Sequence, residues 1–175
     1  MHSIIAFVGP SGSGKTSLMR AMIEEMPEKV AMCMSVTTRQ PRGNVDDDGT
    51  YRFVTTANFE QMIANGEFIH YVTHAGNYYG TLRADADGVL ATKCALGAFV
   101  EQGVKNLRAS GYTVHVVKIR PVGKYTANDP SRAAEDAARS AVDVQPEMVL
   151  DNDFSPGGWE RTTTELCGKL APYVS

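Results

Sequence analysis

Cysteine is scarce in this chain of 175 residues: three occur, at positions 33, 94 and 167. Their odd number and wide spacing fit neither a disulfide framework nor a metal-ligand pattern, and predict free thiols in a reducing cytoplasm. Long hydrophobic runs are missing too. No stretch approaches the ~18 apolar residues that span a bilayer, and no basic leader precedes the first apolar segment, so no membrane association is expected. Positive charge is not in excess. Lys and Arg number 17 against 20 Asp and Glu, for a net charge of -3. That excludes a global basic field recruiting nucleic acid, though a local patch stays open. Internal repeats and low-complexity segments are absent as well, which excludes a solenoid. The rest is ordinary for a globular chain, 43% hydrophobic and 21% charged, long enough for one domain with a sizeable core.

The stretch that organises the chain is Gly9-Pro10-Ser11-Gly12-Ser13-Gly14-Lys15-Thr16. It follows the apolar run 4–8 and precedes a helical pattern of Leu18, Met19, Met22, Ile23 and Met26. A G-x-x-x-x-G-K-T motif between a strand and a helix is the context of a phosphate-binding loop. The glycines let successive N–H groups turn toward phosphate oxygens, and the helix start adds partial positive charge. Lys15 would reach the β and γ phosphates of ATP, and Thr16 would ligate Mg²⁺ through its hydroxyl. A plain Gly/Ser turn is the bland alternative, but such a turn has no need of lysine and threonine after its last glycine. Gly9, Ser11, Gly12, Ser13, Gly14, Lys15 and Thr16 are therefore the candidate nucleotide-binding residues.

Along the chain, 4–8 reads as a buried strand, 15–26 as a helix ended by Pro27, and 30–36 as a second core strand. The loop after it carries Arg39 and Arg42 beside Pro41. Two arginines there either grip an anion through their planar forks or are solvated surface charges. Residues 51–54 read as a short strand. A short helix capped by Thr55, Thr56 or Asn58 then buries Phe59, Met62 and Ile63 and closes at Gly66. Residues 68–72 read as a strand, and Asn77-Tyr78-Tyr79-Gly80-Thr81 as a turn rich in aromatic hydroxyls. Beyond it come a short helix within 82–92, a strand at 94–100, a helix at 101–110 ended by Gly111, and a strand at 112–119. A helix at 131–142, a strand at 148–150 and a helix at 158–170 complete the series. That alternation predicts right-handed βαβ units and a parallel sheet.

Joined to the phosphate loop, Thr37-Thr38-Arg39-Gln40-Pro41-Arg42, Tyr51-Arg52-Phe53-Val54, Gly66-Glu67-Phe68-Ile69, Asn77-Tyr78-Tyr79-Gly80-Thr81 and Gln102-Gly103 resemble the guanylate kinase family. The resemblance runs from Ile4 to about Asp153. It implies an α/β P-loop kinase fold in three layers, with a parallel core sheet at 1–34 and 82–175. A small antiparallel acceptor-binding insert at 35–81 and a short lid at about 122–142 complete this single-domain expectation. It also implies transfer of the ATP γ-phosphoryl group to a nucleoside monophosphate, with Mg²⁺. Ser35, Arg39, Arg42, Tyr51 and Tyr79 fall where such kinases hold the acceptor phosphate, and Thr81 where they contact the base. Arg132 and Arg139, seven apart and so on one helix face, are either lid arginines over the transferring phosphoryl group or solvated helix arginines.

The chain departs from the family in four places. His70 stands where the family reads guanine with a glutamate. The strand before Gln102-Gly103 has no aspartate, and Glu101 is the nearest carboxylate. The loop after Arg42 has Val45 and gathers its acids in Asp46 to Asp48. The stretch between Pro121 and Asn152 is short, so the lid is expected to be reduced. The first two departures remove acceptors for guanine N–H groups, unless His70 is a tolerated substitution and other groups read the base. Two further functions stay open: a kinase for a modified pyrimidine within DNA, and a phosphopeptide-binding module without catalysis. The acidic balance weighs against the first, and the intact Gly14-Lys15-Thr16 against the second. Oligomeric state is left as monomer or homodimer.

Overall fold

The structure is a computed structural model, and it describes residues 2–41, 49–74, 76–122 and 143–174. Its centre is a five-stranded parallel sheet in the order β2-β7-β1-β8-β9. The strands are β1 (Ile4–Val8), β2 (Val30–Met32), β7 (Cys94–Ala98), β8 (Val114–Val122) and β9 (Met148–Asp153). A second sheet, ordered β4-β3-β6-β5, uses β3 (Ser35–Thr37), β4 (Tyr51–Phe53), β5 (Phe68–His74) and β6 (Asn77–Leu82). β3–β6 and β5–β6 pair antiparallel, and β4 joins β3 in parallel.

The alternation of β1 explains the layers. All five of its residues are buried, as a central parallel strand requires. Ile5 and Phe7 face one layer, built by α1 (Lys15–Glu25) and α5 (Gly158–Leu170) through Leu18, Met22, Leu166 and Leu170. Ile4, Ala6 and Val8 face the other, where α3 (Arg83–Leu90) and α4 (Glu101–Ala109) bring Ala86, Val104 and Leu107. No described helix is long and apolar enough to cross a membrane. The cysteines are free thiols, Cys33 and Cys94 buried, and desolvation pushes the Cys33 thiol up to about 12.

Two expectations are corrected. The run 30–36 is not one strand: it breaks after Met32 into β2 of the core and β3 of the second sheet. A continuous apolar run carries no mark of where the chain changes sheets. The segment 77–81 is not a turn but strand β6, and the chain reverses at Gly76, where φ is +71°. Its tyrosines and threonine suit a pleated, half-buried surface. Elsewhere the boundaries move by a few residues. Thr55 is the cap of α2 (Thr56–Ala64), accepting from the Asn58 N–H at 3.2 Å, and Phe59 is its buried residue. The expected helix at 131–142 and the lid beyond Val122 lie outside the described residues.

The second sheet has two distinct faces. On one, Val36 and Leu82 pack with Phe59 of α2. The Phe59 ring stacks on Phe68 at 4.4 Å and on Tyr78 at 5.0 Å. Gly80 opens the room, since a Cβ there would approach the Phe68 ring to 2.6 Å. The period of two therefore turns Ser35, Tyr51, Tyr79 and Thr81 to the other face, and a β-bulge between Phe68 and His70 breaks the alternation of β5 so that His70 joins them opposite Thr81.

Candidate active site

That other face and the phosphate loop enclose one cleft of about 380 Å³. The loop side is built on backbone strain that only glycine tolerates. Gly9 and Gly14 stand at φ +151° and +86°. A Cβ on Gly9 would lie 2.6 Å from the Ile119 carbonyl, and one on Gly14 would run into the Asn152 amide. Gly14 also heads α1, whose start has neither a side-chain cap nor an acidic residue in its first turn. The uncapped N–H groups and positive helix end suit an anion. Lys15 Nζ donates to the carbonyls of Gly9 and Pro10 at 2.9 and 2.8 Å and lies near Ser13 Oγ at 3.5 Å. This holds the ammonium across the mouth of the loop.

Gly9, Ser11, Gly12, Gly14, Lys15 and Thr16 all line the cleft. Ser13 is fully buried and is not among the lining residues, so its contribution is through the backbone. The Thr16 hydroxyl, next to Lys15 on the first turn, fits a magnesium ion held mainly by phosphate oxygens.

On the opposite side, Arg39 is 9% exposed, and its guanidinium lies 5.1 Å from the Tyr51 ring centre and 5.3 Å from that of Phe53. Nη1 donates to the Gln40 carbonyl at 2.8 Å, and the backbone N–H to Thr37 Oγ1 at 3.1 Å. Stacking and hydrogen bonding thus fix an arginine fork toward the cleft. Threonines tie this loop to β6: Thr37 Oγ1 donates to the Tyr78 carbonyl, and the Tyr78 N–H donates to Thr38 Oγ1. Ser35, Tyr51 and Tyr79 line the same wall, the Tyr51 and Tyr79 rings meeting edge-on at 6.3 Å. Arg42, Arg132 and Arg139 lie outside the described residues.

His70, Thr81 and Glu101 line the far end. His70 is 8% exposed and wedged between the Phe99 ring, centred 5.6 Å away, and α4. A Cβ on Gly103 would come within 2.9 Å of its ring, so Gly103 is what lets α4 sit there. His70 Nε2 lies 3.5 Å from Thr81 Oγ1, and Nδ1 is buried with no hydrogen-bond partner among the described residues. Burial pushes the imidazole down to about 4, so the ring is neutral at neutral pH. Glu101, 5% exposed in the first turn of α4, is the one carboxylate among the described residues lining the cleft.

Val72 and His74 also face the cleft, two and four residues beyond His70 on β5. Strand alternation from His70 could have found both. Asn152 was missed too. Its signal was a polar residue at a core-facing position of β9, but nothing in the sequence names its partner in the loop.

The guanylate kinase family model matches residues 1–151. Over 108 residues the chain is 39% identical to guanylate kinase of Nostoc sp. (strain PCC 7120), covering 61% of this chain and 54% of that protein. Over 138 residues it is 33% identical to guanylate kinase of Brucella melitensis biotype 1, covering 77% and 63%. The chain thus spans about half to under two thirds of the length of these relatives. Among solved structures, the crystal structure of guanylate kinase from Anaplasma phagocytophilum superposes with a TM-score of 0.74 at 20% identity. That match covers 99% of this chain and 86% of the other, and it shows the shared fold.

Proposed function

Because the chain belongs to the guanylate kinase family, we propose that it transfers the γ-phosphoryl group of ATP to a nucleoside monophosphate, with altered reading of the base. The observation that carries this is the meeting in one cleft of a glycine-built phosphate loop and a stacked, buried arginine with its tyrosines. One half suits a triphosphate and the other a monophosphate, with room between them for in-line transfer.

The chemistry asks for positioning and charge neutralisation, with no covalent intermediate. The loop N–H groups and the α1 start hold the β and γ phosphates. Lys15 exchanges its carbonyl partners for phosphate oxygens and neutralises charge on the transferring group. Mg²⁺, when bound with the nucleotide beside Thr16, supplies further neutralisation at the phosphate oxygens. Arg39 holds the acceptor phosphate in line, and Ser35, Tyr51 and Tyr79 hold its remaining oxygens. Arg42, Arg132 and Arg139 are proposed to add charge to the acceptor and transferring phosphates on the strength of their sequence positions alone.

Labelled ATP offered with a panel of ribo- and deoxynucleoside monophosphates, and with DNA carrying hydroxymethylpyrimidine, tests this. Transfer to one or more monophosphates is expected. Transfer to DNA alone, or ATP binding without any transfer, would replace the proposal.

Arg39→Ala gives a sharper check. Charge-assisted hydrogen bonds contribute ~1.5–3 kcal/mol, so acceptor affinity should drop roughly tenfold to a hundredfold. ATP affinity should hardly change. Equal losses for both substrates, read by titration, would show that Arg39 does not belong to the acceptor half.

A further inference from the structure

Asn152 occupies a core-facing position near the end of β9 and is 2% exposed. Its Nδ2 donates to the Ser13 carbonyl at 2.8 Å, a buried bond between residues far apart in the chain. Peptide planarity makes this bond felt on the other side of the loop. The Ser13 carbonyl and the Gly14 N–H belong to one rigid trans unit and point in opposite directions. Anchoring the oxygen on β9 therefore sets the direction of the Gly14 N–H. The same amide stands where a Gly14 Cβ would be, so it fills the space that glycine leaves and keeps the loop from relaxing into it.

We propose that Asn152 is a positioning residue for the nucleotide half of the cleft: it holds the Ser13–Gly14 peptide so that the Gly14 N–H is presented to the triphosphate. This rests on the kinase reading above. The position needs a donor. An aspartate of the same size would set carboxylate oxygen against carbonyl oxygen and add negative charge behind the phosphates. An alanine would leave the Ser13 carbonyl buried without a partner and free the peptide to rotate.

The test compares the full chain with Asn152→Ala and Asn152→Asp in equilibrium titrations with Mg·ATP, and with GMP and dTMP as probes of the acceptor half. Thermal unfolding is followed in parallel. Mg·ATP affinity should fall about tenfold in the alanine variant and about a hundredfold in the aspartate variant, which preserves the packing volume. GMP and dTMP affinities should stay within about twofold in both. Mg·ATP affinity unchanged in the aspartate variant overturns the proposal. So does an equal loss for ATP and acceptor that follows a lowered unfolding temperature, because the tie would then be structural only. A wild-type chain that binds no Mg·ATP would instead bring down the kinase reading, and this inference with it.

Discussion

Lys15→Ala is expected to abolish phosphoryl transfer while leaving the fold intact. The lysine stands at the first position of α1 with its ammonium on the Gly9 and Pro10 carbonyls, facing the cleft rather than either core layer. Truncation therefore removes no core packing. It does remove the one cation the loop itself brings to the γ-phosphate. Loss of a single preorganised charge-stabilising group typically costs ~10²–10³ in turnover, and loss of a full positive charge should cost at least that. Coupled kinetics together with thermal unfolding separate the two effects. Near-normal turnover would remove Lys15 from the mechanism. A collapse of the unfolding temperature would make it a structural residue.

GMP should be a poor acceptor or none. Arg39, Tyr51 and Tyr79 line the proposed phosphate side of the acceptor half, while His70 lines its far end, at the position where the resemblance implies a glutamate. The neutral ring has Nε2 beside Thr81 Oγ1 and Nδ1 buried against its surroundings, so β5 offers guanine no ionised acceptor. Guanine bound against β5 would leave N–H groups unpaired, at ~1–3 kcal/mol for each buried group. Two such losses lower kcat/KM for GMP by ~10² or more. A base with a carbonyl toward His70, such as a pyrimidine, suits an imidazole donor better. Steady-state kinetics with GMP, dGMP, dTMP, dUMP and dCMP decide the matter. A wide margin in favour of guanine nucleotides would sink the prediction, and Glu101 would then be the carboxylate that reads the base. His70→Glu should raise guanine activity if the missing carboxylate is the cause.

Much of the nucleotide half was legible in the sequence because it is local. The loop, the strand before it and the helix after it are contiguous, and glycine spacing reports backbone geometry directly. The βαβ series was legible for the same reason, since each element carries its own periodicity and its own stop signal. The acceptor half was less so. Tyr79 and Thr81 were picked out by resemblance, yet their segment read as a turn when it is β6. A five-residue stretch with two tyrosines, a glycine and a threonine has both turn and strand character. Pairing with β3 and β5 decides between them.

By itself, the sequence determined that a glycine-rich loop joins a buried strand to a helix, that strands and helices alternate, and that Arg39 follows the first helix and precedes a tyrosine-rich segment. These follow from short-range rules of spacing, burial and backbone freedom. Only the tertiary structure decided that the run 30–36 divides between two sheets and that one face of the second sheet looks into the cleft. It alone placed His70 under Gly103 of α4, and the Asn152 amide on the Ser13 carbonyl. The reason is that these contacts join residues tens of positions apart. Local propensity is the same whichever partner arrives, so the choice falls to pairing register and packing across the whole fold.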